Sequence, residues 1–544
     1  MQTIFRALIA LAACTSPAAA APPPKPKLIV AIAVDQFSAD LFAEYRAHFT
    51  GGLKRLAQGA VFPAGYQSHA ATETCPGHST ILTGARPARS GIIANNWFDP
   101  GLARPDKKVY CAEDPGVPGS SSAKYIVSAQ YLKVPTLGDR LKATDPKSRV
   151  VSVAGKDRAA VMMGGHATDQ IWYYSGKFFV TLADRTGTPA PVAKVNARIA
   201  AFVAKPVKPS LPPLCQSRSM AVALGGERQV GTLSSRKPGG DKGIRATAEF
   251  DAATADIAIG LLREMKLGHG PATDLLAIGL SATDYVGHGF GTEGAEMCAN
   301  LVGLDATIGR ILAALDANGA PYAVVLTADH GGHDVPERNR LRAVPDAERV
   351  DPALLPADIA VGLAKEYGLS GDILYADALF GDWYLSRAVA PDLRPRILAS
   401  LRERLLLAHH QVAAVFTAEE LRALPLPTRP ADEWTLAERA RAGFDPERSG
   451  DLIVLLKPHV TPIAAPGAGS VATHGSPWNY DRRVPILFWR PGATGFEQPL
   501  PVETVDILPT LAGLLGLSIP QEEMDGRCLD IDPTSGTTCP DGSH

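Results

Sequence analysis

Six short apolar runs recur along the chain, and several are nearly continuous rather than alternating. Continuous runs are typical of strands that are covered on both faces. The runs are Leu28–Val34, Val150–Val153, Leu275–Leu280, Ala323–Thr327, Leu452–Leu456 and Pro485–Trp489. Helical stretches lie between them, at Ala252–Met265, Cys298–Leu315 and Leu393–Ala408. This alternation predicts an α/β fold with helices on both sides of a sheet, whose functional sites lie just beyond the carboxyl ends of the strands.

Two long regions interrupt this alternation. Residues 185–245 are rich in Pro, Gly and Ser, and residues 335–450 contain helices broken by Pro. We interpret both as insertions that form a cap over the site. With 544 residues the chain is long enough for a large core, so we expect a single catalytic domain at 27–544 that carries these insertions.

The N-terminus is predicted to be an export signal. Arg6 precedes the apolar run Ala7–Ala13, and Ala18–Ala21 offers small-residue cleavage sites. We therefore assign residues 1–21 to a signal peptide and 22–26 to a Pro-rich linker, and expect a periplasmic or secreted protein. Leu11–Cys14 also resembles a lipobox, which would instead anchor the protein to the outer membrane through Cys14. Plain export is favoured because alanine-rich signals produce such matches by chance. No later segment reaches the ~18 apolar residues of a membrane span.

Cysteine number fits an exported protein. Apart from Cys14 the chain has six cysteines, and an even number suggests disulfides, although six cysteines allow 15 pairings. Cys528 and Cys539 are close in the C-terminal tail and form the most plausible pair. For the other four we expect Cys75–Cys111 and Cys215–Cys298.

The charge balance excludes one broad class of function. The formal net charge is −2 and no block is dense in Lys or Arg, which argues against nucleic-acid binding. If the substrate is an anion, positive charge must be supplied locally, and metal ions could provide it. We expect a small-molecule substrate and favour a monomer.

Acidic and histidine side chains cluster at the predicted strand ends. Catalytic zinc binds His nitrogen and Asp oxygen and keeps one position open. Two ligand sets can be drawn: Asp284, His288 and His474 in one, and Asp35, Thr74, Asp329 and His330 in the other. Each signal alone is weak, since Asp35 could cap a helix, Asp-x-x-x-His occurs by chance, and His474 could be a loop residue. Together they predict a two-zinc site. We interpret the other nearby histidines, His69, His78, His166 and His333, as structural or supporting residues.

Lys156 and Arg158 follow the strand Val150–Val153 and could bind an anionic substrate. Two cations one residue apart favour the dianion of a phosphate monoester over the single charge of a diester. The alternative is a solvated surface pair, which is the commoner fate of Lys-x-Arg.

These segments together resemble the alkaline phosphatase superfamily, and in particular its PhoK/PafA-type periplasmic alkaline phosphatases with a threonine nucleophile. The resemblance covers about 27–530 and is carried by Val34–Phe37, Thr72–Thr80, Gly91–Trp97, Gly155–Arg158, Ser281–His288, Thr327–His333 and Thr473–Ser476. It implies a mostly parallel central sheet with inserted cap regions, two zinc ions held by the two ligand sets, and Asn95, Lys156 and Arg158 around the phosphoryl oxygens.

The expected chemistry is phosphate monoester hydrolysis through a phosphothreonine at Thr74, with the Cys75 backbone N–H among the groups that stabilise the phosphoryl oxygens. A nucleotide pyrophosphatase/phosphodiesterase of the same superfamily is the main alternative. A sulfatase is disfavoured because Pro76 directly follows Cys75 and Ser79 replaces the required arginine. A cysteine phosphatase is disfavoured because an exported thiol tends to oxidise. A zinc-binding surface protein without catalysis is disfavoured by the oxygen-rich ligand set.

Overall fold

The structure is a computed structural model that describes residues 24–235, 241–466, 469–532 and 538–539. The predicted signal peptide at 1–21, the start of the linker and Cys14 lie outside the described residues. The strands are β1 Leu28–Val34, β2 Ala60–Tyr66, β3 Asn96–Phe98, β4 Lys108–Tyr110, β5 Val150–Ala154, β6 Gln170–Tyr174, β7 Phe179–Val180, β8 Val222–Gly225, β9 Arg228–Val230, β10 Asp274–Leu280, β11 Tyr322–Thr327, β12 Glu348–Arg349, β13 Leu374–Ala376, β14 Gly381–Leu385, β15 Val412–Thr417, β16 Leu452–Leu456, β17 Val460–Thr461, β18 Arg483–Trp489, β19 Phe496–Glu497 and β20 Val502–Glu503.

Helices fill most of the chain between these strands. The α-helices are α1 Ala39–Tyr45, α2 Gly52–Leu56, α3 Thr74–Thr83, α4 Pro87–Ser90, α5 Leu137–Thr144, α6 Asp157–Gly164, α7 Ala190–Val203, α8 Asp241–Arg245, α9 Ala248–Glu264, α10 Ala282–Phe290, α11 Ala295–Asn318, α12 Pro336–Arg342, α13 Pro356–Tyr367, α14 Arg394–Ala408, α15 Ala418–Ala423, α16 Leu436–Gly443, α17 Asn479–Arg482 and α18 Ile507–Leu515. The three helices predicted from periodicity correspond to α9, α11 and α14, with ends shifted by a few residues.

The central sheet has ten strands, with β1 at its middle. Its order is β19-β2-β18-β11-β1-β10-β5-β6-β7, and β20 also pairs with β2. The inner strands β11, β1, β10, β5 and β6 run parallel, whereas β18 is antiparallel to both β11 and β2. The predicted α/β class, with a large central sheet surrounded by helices, is confirmed.

Both faces of the sheet are covered, as the continuous apolar runs predicted. Leu28, Val30, Ile32 and Val34 of β1 belong to one buried apolar cluster, which includes residues of α9 and α11. The alternate residues of β1 belong to a second cluster, together with residues of α3, α5 and α18. β1 therefore contributes one set of side chains to each core.

The apolar run Leu452–Leu456 forms a strand, β16, but not in the central sheet. It lies in a separate antiparallel sheet of order β13-β14-β16-β15. This smaller sheet has its own apolar core, which includes Trp383, Leu401 and Val454. A fully buried run has the same pattern in either sheet, so the sequence alone does not distinguish them.

Three disulfides tie distant segments together, and they are the three pairs expected from the sequence: Cys75–Cys111, Cys215–Cys298 and Cys528–Cys539. Cys215–Cys298 attaches the segment after α7 to the long helix α11. Among the described residues, α11 is the one helix long and apolar enough to cross a membrane, and 61% of its most apolar window is buried within the fold. It therefore has the character of a core helix.

Candidate active site

The carboxyl edge of the parallel strands brings the predicted site residues together. In register, Val34 at the end of β1 lies opposite Leu280 at the end of β10, and Ala33 lies opposite Thr327 at the end of β11. Asp35 directly follows β1, and Asp329 lies two residues beyond β11. Both side chains are fully buried. Residues far apart in sequence thus meet because their strands end at the same level.

Thr74 is the first residue of α3, so its hydroxyl lies at a helix N-terminus. It is almost completely buried. Close approach of α3 to the end of β11 depends on Gly77, where a Cβ atom would lie 1.9 Å from the carbonyl oxygen of Asp329. Any larger residue at position 77 would push α3, and with it Thr74, away from the end of β11.

Asp284, His288 and His474 form one group whose ligand atoms lie within 4.8 Å of one another. The Nε2 atoms of His288 and His474 lie 3.3 and 3.4 Å from Asp284 Oδ1. Their Nδ1 atoms donate to the carbonyl oxygens of Ala472 and Thr72, at 3.0 and 2.8 Å. These outer hydrogen bonds fix both rings so that the unprotonated Nε2 atoms point inward, as in metal-ligating histidines.

The second group consists of Asp35, Asp329, His330 and His78, which was expected to be a structural or supporting residue. His330 Nε2 lies 3.2 Å from Asp329 Oδ2, and its Nδ1 donates to the Gly331 carbonyl. His78 lies between the two carboxylates, with Nε2 3.4 Å from Asp35 Oδ1 and Nδ1 3.2 Å from Asp329 Oδ2. Burial lowers the pKa of His78, but the two carboxylates outweigh it and raise the pKa to about 10.

The two groups adjoin each other. The His330 and His474 rings stack with centroids 3.5 Å apart. The Lys156 ammonium lies 3.0 Å from Asp35 Oδ2 and 2.6 Å from Asp284 Oδ2, and so contacts a carboxylate of each group. Although burial favours the neutral acid, this ammonium and His288 hold the pKa of Asp284 well below its usual range.

Lys156 and Arg158 are not surface residues. Lys156 Nζ and an Arg158 guanidinium nitrogen each lie 3.4 Å from Thr74 Oγ1. Lys156 lies two residues after the end of β5, between Gly155 and α6, and Arg158 lies in the first turn of α6. The Asp157 carboxylate accepts from the Tyr110 and Tyr125 hydroxyls and from the Arg158 backbone N–H. This network fixes the start of α6 and therefore the two cations.

Asn95 and the Cys75 backbone are also adjacent to Thr74, but they contact each other. The Cys75 N–H donates to Asn95 Oδ1 at 2.8 Å, and the Asn95 N–H donates to Glu73 Oε2 at 2.7 Å. In this arrangement the Cys75 N–H orients the Asn95 amide instead of pointing to open space. The Asn95 NH₂ group is the donor that remains for a ligand.

The residues fit a pair of divalent metal ions. Several buried atoms at the centre of the site have no hydrogen-bond partner in the described residues: both Asp35 oxygens, Asp329 Oδ2, His330 Nε2 and His78 Nε2. Buried polar atoms are rarely left without a hydrogen bond, and these atoms lie within 3.0–3.4 Å of one another or of Lys156, so a shared cation would suit them. Burial, with the neighbouring His330, lowers the pKa of His474 to about 4, which keeps its imidazole neutral and able to coordinate. Asp and His donors are those of catalytic zinc and related ions.

Comparison with known proteins identifies the family. Residues 29–477 match the family model described as type I phosphodiesterase / nucleotide pyrophosphatase. The chain belongs to this family. It is thereby a member of the alkaline phosphatase superfamily, as the sequence motifs had suggested.

This member of the phosphodiesterase family is similar to several named phosphatases over nearly its whole length. It is 57% identical to alkaline phosphatase PhoD of Zymomonas mobilis over 94% of this chain and 89% of that protein. It is 54% identical to alkaline phosphatase PhoK of a Sphingomonas species over 94% of this chain and 92% of that protein. A crystal structure of alkaline phosphatase PafA superposes with a TM-score of 0.78 at 26% identity, over 95% of this chain and 99% of that one. The protein is accordingly a hydrolase of the phosphatase class.

Gln36 was not singled out from the sequence, and His78 was interpreted only as a structural or supporting residue. Gln36 has φ 63°, donates its N–H to Asp329 Oδ1 at 3.1 Å, and places Nε2 3.5 Å from Asp284 Oδ1, so it spans both groups. Its position directly after Asp35 was the only available signal. His78 lies one helical turn after Thr74, a spacing that could have placed both on one face of α3. His166 and His333 instead contact Asp139 and Thr461.

Proposed function

We propose that the protein is an alkaline phosphatase that hydrolyses phosphate monoesters, with Thr74 as its nucleophile. The observation that carries the proposal is the position of the Thr74 hydroxyl. It lies 3.4 Å from both Lys156 and Arg158, at a helix N-terminus, and beside two buried Asp/His groups. The names of the 54–57% identical relatives support the same activity.

We assign one zinc ion to Asp35, Thr74, Asp329 and His330, and a second to Asp284, His288 and His474. When bound, such ions lower the pKa of a coordinated hydroxyl or water and neutralise charge that develops on the phosphoryl group. His78 and Gln36 contact the carboxylates of these sets and would fix their orientation. Lys156 would do the same through Asp35 and Asp284.

In the first step, Thr74 Oγ attacks phosphorus, the bond to the ester oxygen breaks, and the alcohol departs with a proton. The product is a phosphothreonine. In the second step, water attacks the same phosphorus, the Thr74 Oγ–P bond breaks, and inorganic phosphate leaves with the threonine hydroxyl restored. The Arg158 guanidinium can bind two phosphoryl oxygens at once, while Lys156 and the Asn95 NH₂ provide point contacts. These donors are already in place, so little rearrangement accompanies the transition state.

The buried cations favour monoesters over diesters. A monoester presents a dianion, whereas a diester carries one charge and a second bulky group. Lys156 and Arg158 both lie in the buried site next to Thr74, where charge interactions are stronger than in water. The family description also names phosphodiesterases, so the ratio of monoester to diester turnover decides between the two activities.

We further propose that the chain is exported, since residues 1–21 have the composition of a signal peptide. The mass of the mature N-terminus, purified from its natural host, tests this proposal and separates cleavage near Ala21 from lipid attachment at Cys14.

The central experiment compares wild type, Thr74→Ala and Thr74→Ser on p-nitrophenyl phosphate and its bis ester. We expect wild type to prefer the monoester and Thr74→Ala to lose kcat/KM by about 10⁴-fold or more. Rapid quenching and mass spectrometry should find phosphate on Thr74 in wild type. Thr144→Ala, an exposed change on α5, is the matched control.

Retention of activity by Thr74→Ala would remove the nucleophile assignment. A higher kcat/KM for the bis ester in wild type would replace the phosphatase proposal by a phosphodiesterase.

A further inference from the structure

A pocket lies beside the proposed nucleophile and is not used by the phosphoryl group in the mechanism above. Three residues that line it are chain neighbours of proposed site residues: Glu73 precedes Thr74, Asn96 follows Asn95, and Gly475 follows His474. Its far side is formed by the smaller sheet and by α16. The pocket therefore adjoins the proposed phosphoryl site, and the smaller sheet and α16 close its other side.

Aromatic side chains form much of the wall. Trp97, Phe98, Phe380, Tyr384 and Phe444 all line the pocket. Phe98 packs against Tyr384 with ring centroids 6.0 Å apart. Phe98 and Phe380 are half-buried, so part of each ring faces the pocket. Such a wall suits a flat apolar group.

The junction between the pocket and the zinc-binding residues is narrow. Gly475 has φ 108°, and a Cβ atom there would lie 3.0 Å from the Phe380 ring and 3.7 Å from the Glu73 side chain. Phe380 and Glu73 therefore flank Gly475, the residue after His474. A group attached to a phosphoryl bound at Thr74 would pass between them.

The polar groups in the pocket are mainly acceptors. Glu73 accepts from the Asn95 N–H, and Asp382 accepts from the Gly450 N–H at 2.7 Å. Within the described residues no Lys, Arg or His forms an ion pair with either carboxylate, whereas Asp377 at the rim pairs with Lys108. Burial raises the pKa of Asp382 to about 6, so its carboxylate is ionised at alkaline pH. The pocket therefore combines an aromatic wall with acidic side chains.

We propose that this pocket, the leaving-group pocket, binds the alcohol portion of the substrate and selects phosphate esters of aromatic alcohols that carry a protonated amine. The ring would pack against Phe98 and Phe380, and the ammonium would contact Asp382. The proposal rests on the proposed function, because it takes the phosphoryl group to be bound at Thr74.

The test uses two substrates that differ in one group. Tyramine O-phosphate and 4-ethylphenyl phosphate share the same ring and phosphoryl group, and only the first has an ammonium. We define the selectivity as the kcat/KM of tyramine phosphate divided by that of 4-ethylphenyl phosphate at pH 8. Wild type is expected to show a selectivity of about ten, the size of one charge-assisted hydrogen bond.

Two variants and two matched controls separate the parts of the pocket. Asp382→Asn should lower the selectivity about tenfold, because the amide keeps the shape and loses the charge. Phe380→Ala should lower kcat/KM for both aryl esters relative to ethyl phosphate. The controls are Asp184→Asn and Phe178→Ala, which change an exposed acid and an exposed aromatic outside the pocket. They should match wild type.

Equal selectivity in wild type and Asp382→Asn, or a wild-type preference for 4-ethylphenyl phosphate, would overturn the proposal while the phosphatase function stands. If wild type hydrolysed no monoester, the proposed function would fail instead. Calorimetric titration with tyramine and 4-ethylphenol would then test binding in the leaving-group pocket separately from hydrolysis. Tighter binding of tyramine than of 4-ethylphenol, weakened in Asp382→Asn, would support the proposal. Equal binding of the two compounds would contradict it.

Discussion

Lys156 contacts more of the proposed machinery than any other cation in the described site. Its ammonium touches Asp35, Asp284 and the Thr74 hydroxyl, and it is almost fully buried. Burial alone would lower its pKa, but the two carboxylates raise the pKa above its usual value, so the side chain stays charged. Lys156 therefore neutralises part of the charge of the two aspartates and lies where it could also donate to a phosphoryl oxygen bound at Thr74.

We expect Lys156→Met to lower kcat/KM for p-nitrophenyl phosphate by about 10²-fold, the usual effect of removing one preorganised donor. The bis ester should lose less, because it carries one charge fewer, so the monoester-to-diester ratio should fall. Lys194→Met, on the exposed face of α7, is the control and should keep the wild-type ratio. An equal loss for both esters would show that Lys156 supports the fold of the site and not the discrimination.

The sequence predicted the residues of the site better than their contacts. Thr74, Asp35, Asp284, Asp329 and the three proposed histidine ligands all lie together, because the segments that carry them meet at the carboxyl edge of the parallel strands. Gln36 was given no role and His78 only a structural or supporting one. Their contacts depend on a left-handed backbone at Gln36 and on a pair of carboxylates around His78, which come together only in the folded chain. The hydrogen bond from the Cys75 N–H to Asn95 Oδ1 could likewise not be predicted from the spacing of these residues in the sequence.

At the scale of elements, the position of α10 depends on a buried acid that the sequence did not indicate. Asp251 in α9 is fully buried, and its Oδ1 accepts from the Ala282 N–H at the start of α10, at 2.9 Å. Its Oδ2 has no hydrogen-bond partner in the described residues. Because α10 carries Asp284 and His288, this contact positions one ligand group.

Burial raises the pKa of Asp251 to about 7, with a smaller contribution from the charge of Asp35. The unfolded chain releases this proton near pH ~4, so the folded state holds a proton that the unfolded state has lost between these values. The contribution of this group to the free energy of unfolding is therefore greatest below pH ~4 and decreases as the pH rises to about 7. The decrease is at most about 1.4 kcal/mol for each pH unit between the two pKa values.

Asp251→Asn removes this dependence and keeps an oxygen to accept from Ala282. We expect the free energy of unfolding of the variant, relative to wild type, to increase from pH 5 to pH 8, measured by urea unfolding across that range. The exposed change Asp184→Asn should show no such increase. A constant difference between Asp251→Asn and wild type would mean that Asp251 is already ionised in the folded protein at pH 5.

Elements were predicted well where periodicity was long, as in α9 and α11, and where apolar runs were continuous, as in β1 and β10. The smaller sheet was not predicted, because β13 has three half-buried residues and β14 only five residues, too few to give a clear pattern. For the same reason β16 was expected beside the central strands. The sheet to which a strand belongs depends on pairing with strands far away in the sequence, and neither composition nor hydrophobic periodicity predicts that pairing.

At the scale of the whole molecule, the proposed zinc site joins parts of the chain that are otherwise separate. Asp35 follows β1, Asp284 lies in α10, Asp329 follows β11, and His474 comes from a loop after the smaller sheet. Ions bound between these segments would stabilise their mutual arrangement, because ligands that bind only the folded state raise its stability. Activity and thermal stability should therefore depend on the same ions.

We expect dipicolinate, a zinc chelator, to abolish hydrolysis of p-nitrophenyl phosphate and to lower Tm by about 5 °C or more. In the described residues, removing the ions leaves the buried carboxylates of Asp35 and Asp329 with Lys156, His78 and His330 as cationic partners. The loss of the metal charge is the physical reason for the lower Tm. Isophthalate, which has the same carboxylates but no ring nitrogen for chelation, is the control and should change neither quantity. Zinc added back should restore both together, and metal analysis should then find two ions per chain. Full activity in the chelated protein would exclude metal-assisted catalysis, whereas lost activity with an unchanged Tm would show that the strands hold these carboxylates in place without the ions.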